Sequence, residues 1–415
     1  MLKYPKNQHP GRYGGLESGG GRTLIGSARL EDPVSLEELA IKKINGGQVK
    51  EGLKLILRAA KGYEEVGRIE DAARLYKYLG YAVLERTNSV EKARPSLLKS
   101  AYLHLDLIDG EISKLEIDIN ALDEYCFSVL EIFAILNDHK SLEKYAEEFA
   151  RIYEDLGNSY RDNEDIDMAI QVYESAHRYY KLANNVEACK KIAETLITLY
   201  GQVAESGLEG GDIQNAAEAF YRLASFTRVL FGYSIHFIEM MDTSAKNFEK
   251  ASKIAYSNGD LDDTTTLLVR AQYAYLLARN FNRAKLIGLN TARMLYQVIS
   301  AHRSEGDDEM ATEKLLELTE VLIGVGKLDE AMETYKSALE GKSNIEFRVR
   351  VRLAALKWFA ALNSREDVLE DIENIEYYAG RRKYLKALEL AENAMKREGL
   401  IETLEKIHAA EGVYR

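Results

Sequence analysis

The sequence predicts an all-α fold in which helical hairpins stack into an α-α superhelix, a solenoid. Three observations carry this. First, six segments repeat the spacing apolar-x-x-small-x-x-x-apolar-x-x-small: Ile69-Ala72-Tyr76-Leu79, Ile166-Ala169-Tyr173-Ala176, Ile213-Ala216-Phe220-Leu223, Phe281-Ala284-Gly288-Thr291, Leu328-Ala331-Tyr335-Ala338 and Tyr384-Ala387-Ala391-Ala394. Offsets of 3, 7 and 10 fall on one side of an α-helix, and a small residue beside a bulky ring lets a neighbouring helix approach closely. Second, turn signals such as Gly67-Arg68, Gly211-Asp212 and Gly326-Lys327 precede the copies. Third, of 4 prolines only Pro95 lies beyond residue 33, so the main helix breaker is nearly absent from the body.

The elements follow in order. Residues 1–33 are read as a Gly-rich basic tail, because glycine loses much backbone entropy on ordering and returns no buried surface. Ser18-Gly19-Gly20-Gly21-Arg22-Thr23 lacks the lysine ending of a phosphate-binding loop and follows no strand. Helical periodicity begins near Ser35, where Ser35-Leu36-Glu37-Glu38 reads as a capping box. Gly46-Gly47 ends that helix. Helices are then expected over Gln48–Val66 and Ile69–Thr87, with about three more over 90–160, including Asp118–Leu136 and Leu142–Leu156. A hairpin over 165–205 turns at Ala183-Asn184-Asn185, and a helix starts at Asp212. Asp242–Ser257, Thr264–Arg279 and Phe281–Arg303 continue the array up to a polar break at Ser304–Asp308. Beyond it come a hairpin over 309–340, helices near 345–361 and 365–378, and a terminal pair from Arg381. Phe347–Leu353 alternates like a strand but also fits a helix face through Phe347, Val351, Ala354 and Trp358. Helix is preferred, because a lone strand has nothing to pair with. The expected organisation is a tail over 1–33, an array over 34–303 and further hairpins over 304–415.

Composition narrows the function. Net charge is −12, residues 1–30 hold five basic groups and one acid, and the rest therefore carries −16. Such a body repels nucleic acid overall. The 2 cysteines, Cys126 and Cys189, stand inside apolar helical patterns and read as buried thiols of a reducing compartment. No 15-residue apolar run occurs, so neither a transmembrane helix nor a secretory signal is expected, and the predicted location is cytoplasmic. The 7 histidines are scattered, with no HExxH, no CxxC, no nucleophile elbow and no Walker motif. The reading is a non-enzyme without a cofactor. The 26 tyrosines against 1 tryptophan suit half-buried seams, with ring packed and hydroxyl wet.

The hairpin pattern is that of the tetratricopeptide superfamily, whose arrays hold other proteins. Within it, Asp165-Ile166-x-x-Ala169-Ile170-x-x-Tyr173-Glu174-x-Ala176-x-x-Tyr179-Tyr180-Lys181 resembles the soluble NSF attachment proteins, the SNAP family. Ala150-Arg151-Ile152-Tyr153-Glu154 and Lys191-Ile192-Ala193 extend the match over about 145–225. The resemblance implies a concave face whose basic residues grip an acidic, helical or coiled-coil partner, and a partner AAA+ ATPase. It places Lys191 at a basic position of the family, and Arg151, Arg178 and Lys190 join it as candidate partner-binding residues. Glu187 stands where the family has a second cation, Asn45-Gly46-Gly47 lacks the family's aromatic membrane loop, and the C-terminal end differs. An alternative reading uses Arg348, Arg350, Arg352 and Lys357, beside Phe347 and Trp358, as a nucleic-acid stripe.

One consequence is testable without a partner. Deleting residues 1–33 should leave the melting temperature within about 2 °C, since a Gly-rich segment has little core to lose; thermal denaturation of the truncated chain checks this.

Overall fold

The computed structural model describes residues 32–339 and 344–412. The Gly-rich segment 1–31 lies outside the described residues, and with it nearly all of the expected tail. Among the described residues the fold is all-α, built of helical hairpins. It divides into two compact units, residues 1–139 and 140–415.

The first unit holds α1 (Pro33–Asn45), α2 (Val49–Glu65), α3 (Ile69–Thr87), α4 (Val90–Ile112) and α5 (Ile119–Ile135). Successive helices pack on one another around Ile56, Ala59, Ala60, Tyr63, Ala72, Leu75 and Leu103. The start of α1 differs from the expectation. Asp32 is the N-cap, accepting from the Val34 and Ser35 amides, and Pro33 takes the first turn; both belong to the folded body, so the truncation that should leave the melting temperature unchanged ends at residue 31, and cutting to residue 33 also removes the cap at a cost of about 1 kcal/mol. Ser35 is inside the helix because proline at N1 sacrifices an N–H that has no helical partner anyway.

The second unit holds α6 (His139–Asp162), α7 (Ile166–Leu182), α8 (Val186–Gly210), α9 (Ile213–Phe231), α10 (Ile235–Ser257), α11 (Leu261–Leu277), α12 (Phe281–Glu305), α13 (Asp308–Gly324) and α14 (Leu328–Leu339). It continues with α15 (Ile345–Asn363), α16 (Glu366–Gly380), α17 (Tyr384–Arg397) and α18 (Ile401–Ala410). The alternating stretch Phe347–Leu353 is helical, inside α15. Helix α10 begins seven residues before the expected Asp242, capped by Ser234. The packing also changes character late in the chain: α15 lies against α11 and α13 as well as α16 and α17, and α18 returns to α14.

The repeated spacing explains the hairpins. Its first small residue is Ala72, Ala169, Ala216, Ala284, Ala331 or Ala387, and every one of them is 0% exposed. In four copies a ring follows, Tyr76, Tyr173, Phe220 or Tyr335, and fills the space this leaves; Gly288 and Ala391 take its place in the other two. A methyl group on Gly157 of α6 would fall 2.7 Å from the Tyr173 ring of α7, so this seam closes only with glycine opposite tyrosine. Two residues before each copy the backbone turns left-handed, at Gly67, Glu164, Gly211, Arg279, Gly326 and Arg382. At all of these but Gly211 a bond closes the turn back onto the preceding helix, as in Asp165 N–H to Tyr160 O at 3.0 Å. Aspartate caps then start several helices: Asp165, Asp212, Asp260 and Asp307 each accept from the amide three residues on.

A further brace recurs at a spacing of 26 residues. Tyrosine hydroxyls donate to glutamates on the preceding helical layer in Tyr63–Glu37 (2.9 Å), Tyr180–Glu154 (2.6 Å), Tyr200–Glu174 (2.7 Å) and Tyr275–Glu249 (3.1 Å). Burial and the adjacent carboxylate push the Tyr63 and Tyr275 hydroxyls up to about 12, so they remain donors at any working pH.

Ala169→Leu should overpack the seam between α7 and its neighbours and cost about 1–3 kcal/mol. Gln171→Leu, on the exposed side of the same helix, should cost less than about 0.5 kcal/mol. Urea denaturation of both variants gives the comparison.

Candidate functional site

Helix α7 presents Glu174, His177, Arg178 and Lys181 on one side, at offsets of 3, 4 and 7. Helix α9 presents Arg222, Ser225, Phe226 and Val229 with the same spacing, and Arg228 beside them. These two faces line a cavity of about 310 Å³. Its floor is apolar, from Phe237 and Met241 of α10 and Leu277 of α11. Its opposite wall is α16, through Leu369, Ile372, Glu373, Glu376 and Tyr377.

The charges across this cavity are complementary. Lys181 Nζ is 2.9 Å from Glu370 and 3.7 Å from Glu373. Arg228 pairs with the same Glu373. The Arg178 guanidinium lies 4.2 Å from the centre of the Tyr377 ring, a cation–π contact. Lys357 of α15 pairs with Glu376 at 2.7 Å and stands 4.8 Å from the Tyr273 ring. Burial works against its charge, but Glu376 and the neighbouring oxygens outweigh burial and hold the ammonium above its ordinary range. The cations therefore come from α7, α9 and α15, and the acids that answer them from α16.

His177 sits within this cluster. Its ring meets Phe226 edge-on at 5.3 Å. Burial first, then the neighbouring Lys181, Arg178 and Arg228 charges, lower its pKa to about 4, so it is neutral at physiological pH. The cysteines are free and buried. Burial raises the Cys126 thiol well above its ordinary value, which leaves it unreactive. Among the described residues no group of His, Cys, Asp and Glu is arranged to hold a metal ion, and no helix is long and apolar enough to cross a membrane.

The four expected partner-binding residues do not form one stripe. Arg151 pairs with Glu147 at 2.6 Å, and Lys191 with Glu154 at 2.8 Å. Glu154 also accepts from Tyr180. Burial would raise the Glu154 carboxyl, but the Lys191 and Tyr180 bonds outweigh it and hold it below its ordinary value. Lys190, next to Lys191 in sequence, is exposed. Arg178 belongs elsewhere. It is two positions before Tyr180, and two helical positions are about 200° apart, so Arg178 points away from the Glu154 cluster and into the cavity. Around Arg151 and Lys191 the acids Glu147 and Glu154 balance the cations. Arg178 meets the Tyr377 ring of α16, and the acids of α16 answer its neighbours Lys181 and Arg228.

The proposed nucleic-acid stripe is corrected by the structure. Arg352 is 0% exposed and bonds Glu392 at 2.8 Å and Glu411 at 2.6 Å. Arg348 pairs with Glu411 at 3.1 Å, Arg350 with Glu320 at 2.9 Å and with Glu313, and Lys357 with Glu376. Helical spacing divides the four between two sides of α15, Arg348 and Arg352 towards Glu411 and Arg350 and Lys357 towards Glu313, Glu320 and Glu376, so they are internal struts.

No family model matches the sequence, and no curated protein matches it. Solved structures do show similarity, and three illustrate it. A circular tandem repeat protein with novel repeat topology has 15% identity over 88% of this chain and 97% of that one, with a TM-score of 0.26. The Rap protein in complex with Competence and Sporulation Factor has 14% identity over 87% and 99%, with a TM-score of 0.27. Yeast Tom70 has 12% identity over 91% and 95%, with a TM-score of 0.18. Similarity at this level leaves the functional argument to the residues themselves.

His177 makes a pH prediction. Its folded pKa of about 4 lies below the ordinary 6.5. Between these values the unfolded chain binds the proton and the folded chain does not. Its contribution to stability is thus complete above about pH 6.5 and is lost as pH falls towards 4. His177→Gln should flatten the loss of stability between pH 7 and pH 5, read from urea midpoints at both pH values. His104, buried in the first unit and likewise lowered to about 4, remains in the variant and keeps part of the slope.

Proposed function

We propose that this chain is a non-enzymatic adaptor that holds protein partners, and that the partner-holding surface is the cationic face of α7 and α9. The observation that carries this reading is the charge balance. Arg178, Lys181 and Arg228 converge over an apolar floor, and the groups that answer them, Glu370 and Glu373 for Lys181 and Arg228 and the Tyr377 ring for Arg178, belong to a separate helix, α16. An apolar floor with charged edges is how a groove receives an amphipathic helix. The SNAP resemblance over 145–225 supports an acidic helical partner, and transfer of that partner to an AAA+ ATPase is the narrower form of the reading.

Capture from native lysate on the immobilised chain, read by mass spectrometry, tests the location of the surface. Arg178→Glu with Lys181→Glu should reduce recovery of the captured partner about tenfold, roughly 1.4 kcal/mol. Lys190→Glu with Lys191→Glu should leave recovery unchanged. The opposite result moves the surface to the Arg151–Lys190–Lys191 side and supports the arrangement implied by the SNAP family. Melting temperatures of both variants separate lost binding from lost folding.

A further inference from the structure

Helix α16 has six acids and no base in fifteen residues. They are not distributed evenly. Glu366, Leu369, Glu370, Glu373, Glu376 and Tyr377 fall at offsets of 3, 4, 7, 10 and 11, a single helical face. Each member of that face meets the array. Glu366 accepts from the Tyr233 amide at 2.6 Å, at the turn between α9 and α10. Glu370 and Glu373 answer Lys181 and Arg228, Glu376 answers Lys357, and Tyr377 receives Arg178. Leu369 is 6% exposed and belongs to the same apolar cluster as Phe237, Met241 and Leu277. Helix α16 packs its other apolar residues, Val368 and Ile375 among them, on α15 and α17, and this face makes a side-chain helix-in-groove contact with the array within one chain.

The contact is also incompletely closed. The cavity of about 310 Å³ remains beneath α16. The Lys181 pairs at its edge are open to water, with Lys181 36%, Glu370 51% and Glu373 43% exposed, so each is worth little alone; Arg228 reaches Glu373 from a more buried position, 11% exposed. Helix α16 is bounded by two non-glycine residues with left-handed backbone, Ser364 (φ 52°) and Arg382 (φ 56°), where a change of φ and ψ reorients the segment between them.

We propose that α16 is an internal stand-in for the partner. The face of α7 and α9 takes, in trans, an amphipathic helix with the pattern acid-x-x-apolar-acid-x-x-acid-x-x-acid-aromatic, and it does so when α16 withdraws. The proposal rests on the adaptor reading above and adds the partner's chemistry and the gating. A helix with this pattern supplies the same ion pairs, the same ring for Arg178 and the same apolar contact as α16. Exchange of one for the other then costs little beyond opening, whereas a helix without the acids gains nothing from the cations. At rest α16 is present at high effective concentration, so the closed chain binds an outside helix weakly.

The probe is a fluorescent synthetic peptide with the sequence of residues 365–380, followed by anisotropy with the full chain. Glu370→Gln with Glu373→Gln removes the Lys181 and Arg228 pairs and loosens α16. This variant should bind the peptide about tenfold more tightly than the wild type, and added salt should weaken binding in both. In a second arm, Lys181→Cys and Glu370→Cys are joined by a cleavable bismaleimide. Binding should vanish when α16 is locked and return on cleavage; this arm keeps the test alive should the glutamine variant fail to fold. Equal affinity for wild type and glutamine variant, unaffected by the lock, overturns the gating and leaves the adaptor reading intact. Absence of binding by every form, cleaved chain included, overturns the acidic-helix partner itself, while lysate capture still judges the adaptor reading.

Discussion

The second unit depends on how closely its helices approach one another, and a methyl group sets that distance. Ala169, Ala216, Ala284, Ala331 and Ala387 are each wholly buried at the same place in the repeat, where a larger side chain would hold two helices apart. Close approach creates the sockets for Tyr173 and Tyr335, which are among the largest fully buried side chains. These rings bury apolar area, and their hydroxyls find partners at the edge: Tyr173 bonds Asn158 at 2.8 Å and Tyr335 bonds Glu411 at 3.0 Å. Packing and polar satisfaction are therefore solved by the same residue type, and the high tyrosine content follows from the architecture.

The charged groups fall into two kinds. Arg352 is fully buried and bonded by two glutamates, and Tyr335 joins them through Glu411. Removing one member of such a group leaves a buried charge without a partner, which is severe. The Lys181 pairs between α7 and α16 are half-open and sit beside a cavity, with Arg228 of α9 joining Glu373 from a more buried position. They are suited to being exchanged, because water replaces a surface partner at small cost. The same unit thus contains fixed struts in α15 and replaceable contacts in α16, one helix apart.

Much of the fold was legible in the sequence because helical periodicity and turn signals are local. The helix Ile69–Thr87 and the turn at Ala183-Asn184-Asn185 follow from them directly. Phe347–Leu353 was resolved by the absence of any strand to pair with. The start of α1 was misplaced because a capping box and an aspartate cap followed by proline compete within three residues. The site was less legible. Position along the chain grouped Arg178 with Lys190 and Lys191, whereas the side of the helix separates them. The stripe on α15 failed for a related reason: the arginines alternate with apolar residues, and only the packed neighbours show that Arg352 points inward. The role of α16 was hidden because an acidic helix face is normally a solvated one, and its basic counterpart lies about 145–190 positions earlier in the chain. The 26-residue spacing of the Tyr–Glu braces was visible in principle, as a correlation between two residue types rather than a run of either.

That spacing bears on how such a chain can change over evolutionary time. A hydroxyl and a carboxylate 26 residues apart meet only if the helices and the turn between them keep their lengths. Inserting or deleting one residue in the turn at Glu164, between Glu154 and Tyr180, would rotate one partner away from the other and shift Ala169 out of its seam together with it. The braced hairpins are therefore open to substitution and closed to small changes of length. Lengthening is tolerated only by whole hairpins, which arrive with their own alanine, tyrosine and glutamate in register. Such an array grows or shrinks in quanta, and the shortest viable edit is a repeat.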